Sequence, residues 1–206
     1  MTGRQRRVRG PGAARRLAAG VVAVALASMI GGYAAGNGVK AGDDSGGCTP
    51  SSVATLRARA ERGAAADQKA LADALVEARC VGQDLAEAAR WYQASARGGN
   101  VDAKFRLGMM YLDGRGVPPS VRQGAAWLLE AAEGGHPKSQ YAIGSLYASG
   151  RGVTQNYVQA HKWITVSIRD DDEHAREVLK TLERMMTPAE LAAAARQADE
   201  WRQAHK

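Results

Sequence analysis

The sequence predicts an all-α solenoid of antiparallel helix pairs, repeated every 36 residues and closed by a C-terminal capping helix pair. Three observations predict it. Trp91, Trp127 and Trp163 stand 36 residues apart, and the run Gly-Arg-Gly-Val occurs at 114–117 and again at 150–153, the same interval. A period between 20 and 50 residues marks a stacked architecture. Within each unit the apolar residues recur at helical spacing, and no stretch alternates as a strand would. The frame also aligns Leu71 with Leu107 and Ile143, Gly108 with Gly144, Tyr111 with Tyr147, and Gly98-Gly99 with Gly134-Gly135.

The spacing predicts nine helices, over 50–62, 65–79, 84–97, 100–113, 120–133, 136–149, 156–169, 171–186 and 188–203. The first two form a degenerate hairpin: Ala72 stands at the place of Gly108, Leu75 at that of Tyr111, and Cys80-Val81-Gly82 replaces the glycine loop. The third carries Trp91 and ends at Gly98-Gly99. In the fourth, Ala103, Leu107, Met110 and Tyr111 line one face at i, i+4, i+7 and i+8. Gly114 ends that helix, and Pro118-Pro119 forbids its continuation. Val121, Ala125, Leu128, Leu129 and Ala132 form the stripe of the fifth, and the sixth and seventh repeat the pair. The last two leave the repeat and cap the final apolar face, as a stacked array requires. Ala175, Val178, Leu179, Leu182 and Met186 line the eighth; the ninth opens on Thr187-Pro188-Ala189-Glu190, a capping box with Pro at its first position.

Residues 1–35 read as a leader. Arg4, Arg6, Arg7, Arg9, Arg15 and Arg16 precede an uncharged apolar run, 17–35. That is the composition of a secretion signal, with A-x-A at 25–27, and its length also approaches a membrane span. Cleaved signal or uncleaved anchor, the charge bias places the following domain outside the cytoplasm, in the periplasm of a bacterial envelope or its equivalent. Residues 36–47 are a Gly-rich spacer, and 48–206 form the repeat domain. The net charge of +7 resides in the leader: the rest of the chain holds 22 Lys and Arg against 21 Asp and Glu. A near-neutral domain argues against nucleic acid as a partner.

The residues Leu107-Gly108, Tyr111, Gly114-Arg115-Gly116-Val117, Trp127, Ala131-Ala132 and Gly134, with their copies 36 residues on, resemble the Sel1-like repeat family, relatives of tetratricopeptide repeats. The closing run Met186-Thr187-Pro188-Ala189-Glu190-Leu191 is similar to the way such domains finish. The resemblance implies a right-handed solenoid and a scaffold that binds a protein or peptide. Some disulfide-bearing members of the family are credited with binding β-lactam or peptidoglycan-like substrates, so an envelope hydrolase or binder of that kind is the competing reading.

The catalytic inventory is thin. The sequence holds no S-x-x-K, G-x-S-x-G, Walker A or H-E-x-x-H run, so no catalytic residue, metal ligand or cofactor is assigned. His136, His161, His174 and His205 share no ligand spacing and read as surface histidines. The acids Asp170, Asp171, Asp172 and Glu173 suit a helix start. An antiparallel hairpin of the first two helices sets Cys48 beside Cys80, and an oxidising compartment pairs them. The tryptophans read as core, and Arg115 and Arg151 as structural residues of the loop that bind neighbouring carbonyls, with an anion as the other possibility.

If the first helix of each pair lines the concave face, as the resemblance implies, the peptide-facing positions are Lys69 and Asp73, then Asp102, Phe105, Met109 and Asp113, then Lys138, Tyr141 and Ser145. Phe105 and Tyr141 are one period apart. Either they hold a peptide in a groove or they pack between helices.

Overall fold

The computed structural model describes residues 49–168 and 172–205. The leader, the spacer, Cys48, Asp170 and Asp171 lie outside them. The described residues form nine helices and no strand: α1 (Pro50–Glu61), α2 (Ala65–Glu77), α3 (Leu85–Arg97), α4 (Val101–Asp113), α5 (Val121–Glu133), α6 (Pro137–Ser149), α7 (Tyr157–Ser167), α8 (Glu173–Glu183) and α9 (Pro188–Ala204). None of these helices is long and apolar enough to cross a membrane.

Most helices begin on a side chain suited to the task. Asp84, Asn100, Ser120, Asn156 and Asp172 each accept a hydrogen bond from the backbone N–H three residues on, which satisfies one orphan donor of the first turn. Thr187 and Glu190 form the expected capping box. The α4 and α6 helices end at Gly114 and Gly150 in the left-handed conformation.

The pairs are α2 with α3, α4 with α5 and α6 with α7, and successive pairs stack through α3 on α4 and α5 on α6. This corrects the expected partition, in which 50–62 and 65–79 make the first unit. In register, α1 corresponds to the second helix of a unit. Ala60, Ala96 and Ala132 are all buried at the same place, and Gly63, Gly99 and Gly135 follow them with φ of 95°, 88° and 85°. The α1 helix still packs on α2. It is also tied to α3, where Arg57 pairs with Glu87 and Trp91 Nε1 donates to the same carboxylate at 3.0 Å. At the other end, α8 and α9 pack chiefly on α7 rather than on each other as a hairpin. Ala175, Val178 and Leu182 of α8 meet Ala194 of α9 in one cluster with Met185 and Met186, so the pair still closes the array.

The Gly-Arg-Gly-Val loops are joints between units. Gly116 has φ +73°, and a Cβ there would lie 2.1 Å from the carbonyl oxygen of Leu85, the first residue of α3. Gly152 stands in the same relation to Val121, at 2.6 Å and φ +72°. Only glycine gives both the backbone geometry and the room. The first unit keeps the same backbone without glycine: Ala78 and Cys80, 36 residues before Gly114 and Gly116, both have φ of 55°.

Candidate functional site

The sequence assigned the face of α2, α4 and α6. The structure divides its nine residues into four groups. Lys69 and Asp73 are turned to each other, Nζ to Oδ2 at 2.7 Å, while Tyr92 of α3 donates its hydroxyl to Asp73 at 2.6 Å. Burial first, and then the bond to Asp73, pushes the Tyr92 phenol far above its ordinary pKa. These three residues lock α2 to α3.

Asp102 and Phe105 belong with His136 of the next unit. The Phe105 ring stacks on the imidazole at 4.4 Å, and Asp102 lies 3.5 Å from Nε2. Nδ1 accepts the N–H of Ser139 at 3.1 Å, so His136 is the N-cap of α6. Burial is the largest effect on this histidine and lowers its pKa; the Asp102 carboxylate opposes that.

Tyr141 repeats the arrangement. Its hydroxyl lies 3.1 Å from Nε2 of His174, a residue of the cap helix α8. Burial, and after it the charge of Asp172, pushes the phenol up to about 12. Ser145 is 2% exposed and donates its hydroxyl to the Tyr141 carbonyl, so it does not face solvent as expected: a short side chain that bonds within its own turn reaches no further. Lys138 is exposed.

Met109 and Asp113 form the fourth group, and they line a cavity between the first and second pairs. It has a volume of about 70 Å³ and opens to solvent. Its apolar walls are Val76, Leu85, Met109 and Met110; its polar ones are Tyr92, Arg106, Asp113 and Arg115. Burial raises the Asp113 pKa, against the smaller opposing pull of Arg115. The Arg115 side chain thus lines a cavity, and among the described residues it makes no bond to a neighbouring carbonyl. Arg106 and Tyr92 had no place in the sequence-based face. One signal could have found Arg106: the equivalent positions before and after it are Ala70 and Ala142. Residues that maintain stacking recur every 36 positions. Arg106 does not.

Two other expectations change. Trp163 is buried at 2%, but Trp91 and Trp127 are only half-buried against their clusters. Trp163 differs because α9 covers it: Trp201 meets it edge-on at 6.1 Å. The histidines are not all at the surface either. His161 is 8% exposed and its Nε2 lies 3.4 Å from Glu183, and His136 is half-buried under Phe105. Among the described residues no group of three or more His, Cys, Asp or Glu could hold a metal ion, and no cysteine is free.

Comparison with known proteins agrees with this architecture. The family model described as Sel1 repeat matches residues 68–100, 101–136 and 137–169, one match for each helix pair. A Sel1 repeat protein from Oxalobacter formigenes, known as a crystal structure, is 31% identical with a TM-score of 0.57; the match covers 63% of this chain and 97% of that one. A protective antigen present in uropathogenic Escherichia coli strains, displaying an SLR fold, is 26% identical with a TM-score of 0.64; there the match covers 87% of this chain and 37% of that one. None of the curated proteins matches. Repeat period, loop glycines, helix pairing and the three matched units together show that the chain belongs to the Sel1 repeat family, whose members are protein-interaction scaffolds.

Proposed function

We propose that this protein is an interaction scaffold outside the cytoplasm. It holds a protein or peptide of the cell envelope along the face formed by α2, α4 and the loop after α4, with residues 1–35 serving for export or as an anchor. The observation that carries the reading is the convergence of residues that break the repeat, Arg106, Met109 and Asp113, on one cavity of that face. Their counterparts are Ala70, Asp73 and Glu77 in the unit before, and Ala142, Ser145 and Ser149 in the unit after. Of Arg106, Met109 and Asp113, only Met109 also packs on the core between the second and third pairs. A groove of mixed apolar and charged residues suits a peptide.

The test is affinity capture from envelope extract with the full chain, compared with Arg106→Glu, Met109→Asp and, as a control on an exposed second helix, Arg122→Glu. The reading expects a partner retained by the wild type and the control and lost by the first two, with the melting temperature unchanged in Arg106→Glu and lowered in Met109→Asp, whose side chain packs on the core of the next pair. Equal retention by all four would move the binding surface elsewhere.

A further inference from the structure

We propose that the cavity between the first two helix pairs takes the C-terminal residue of its partner, the apolar side chain on Val76, Leu85, Met109 and Met110 and the free carboxylate between Arg106 and Arg115. The proposal rests on the reading of this face as the peptide-binding one and names what it reads.

Charge pairing sets the number of acids. Around the cavity Lys69 is paired with Asp73 and Arg79 with Glu77, and Asp113 is the neighbour of Arg115. Arg106 has no carboxylate partner among the described residues. One positive charge is left uncompensated, which calls for one carboxylate rather than an acidic stretch. Guanidinium is the group best shaped to hold a carboxylate, since its donors form a planar fork.

Size and layout set the rest. The cavity is small, about 70 Å³, and open to solvent, so it seats the end of a side chain while the rest of the residue lies at its mouth. Apolar wall and cations converge in that small space, and the residue that carries an apolar side chain and a carboxylate on the same Cα is the last of a chain. Arg106 and Met109 have no like residue at their places in the neighbouring units, so the array offers one such seat and the peptide end fixes its register.

The experiment labels the methionine methyls of the full chain with ¹³C and titrates three probes: N-acetyl-leucine, the uncharged N-acetyl-leucinamide, and a doubly capped Gly-Glu-Leu-Gly peptide. N-acetyl-leucine is expected to shift Met109 and Met110 saturably and leave Met185 and Met186 in place. The amide should bind about tenfold more weakly, as expected for a lost hydrogen bond to a charged group. Arg106→Gln and Arg115→Gln should each weaken the acid by about fivefold or more without changing the melting temperature. Equal response to acid and amide overturns the carboxylate reading. If the capped peptide binds as well as the free acid, recognition of the chain end falls while the peptide-binding face stands. Should none of the three probes move Met109 or Met110, both fall.

Discussion

The ring of Phe105 stacks on the imidazole of His136, with centroids 4.4 Å apart and planes 29° from parallel. The two residues belong to different repeats, so the contact spans a seam between units. Tyr141 and His174 make the corresponding contact at the next seam, at 6.2 Å, where α8 takes the place of a further repeat. An aromatic on the first helix of one unit is thus covered by a histidine from the start of the helix that follows the pair.

This arrangement fixes what truncation should do. Replacing a fully buried large aromatic by Ala costs about 3 to 5 kcal/mol. Trp163→Ala should fall in that range, because its indole is 2% exposed. Phe105 is only half-buried, so Phe105→Ala should cost less, about 1 to 2 kcal/mol from the lost pair and partial burial. Urea unfolding of both variants measures the difference. Equal losses would mean that Phe105 is a core residue.

Stability should depend on pH through His136. Its Nδ1 caps α6 only when it carries no proton, and burial holds its pKa below the ordinary 6.5. The unfolded chain therefore takes up the proton first as pH falls. The contribution is whole above about pH 6.5 and declines as pH drops through that value toward the lowered folded pKa. His136→Asn keeps a capping oxygen and loses the titration. Urea midpoints at about pH 7.5 and 5.5 should differ more for wild type than for His136→Asn, and parallel changes would refute the assignment.

The loops give a pair of opposite predictions. Gly116→Ala meets the Leu85 carbonyl at a positive φ and should lose about 2 kcal/mol or more, whereas Gly82→Ala, with nothing within 4 Å, serves as a near-neutral control. Ala78→Gly should gain stability by about 1 kcal/mol, because Ala78 occupies the left-handed region that Gly114 and Gly150 hold freely. Thermal unfolding of the three variants is sufficient. A stable Gly116→Ala would show that the seam tolerates a side chain.

Register supports the pairing of Cys48 with Cys80. Gly116 follows Leu85 by 31 residues and Gly152 follows Val121 by the same number; Cys80 takes that loop position in the first unit, 31 residues after Thr49 and 32 after Cys48. A covalent bond is expected where later units press two backbones together. Peptide mapping of exported protein without reductant should recover the 48–80 pair, and its reduction should cost about 3 to 4 kcal/mol on the chain-entropy account. Recovery of two free thiols would refute the pairing.

The helices were legible because each repeat marks its own start and stop: Asp84, Asn100 and Ser120 at the beginnings, Gly98, Gly114 and Gly134 at the ends. The place of α1 was harder to read. Its alanine and glycine fit the frame of a second helix, but pairing by adjacency in the sequence joined it to α2. His136 was misread because a histidine seldom caps a helix; the pattern of Asn100 one period earlier was the available clue. Met109 and Asp113 were assigned from one helix face, while Tyr92, Leu85 and Val76 come to the same cavity from other helices. No local pattern carries that convergence.

The backbone seats of Gly116 on Leu85 and Gly152 on Val121 have a consequence for descent. At these two points the seam is chiefly main chain, so this part of it serves equally well between any two copies, whereas the stacked Phe105 and His136 are particular to their own seam. Duplication or loss of a whole 36-residue segment would keep the backbone seat intact and change only such side-chain contacts. Recognition would not lengthen with the array. A copied segment brings its own seam, but it brings a second reading position only if the copy is the one that contains Arg106.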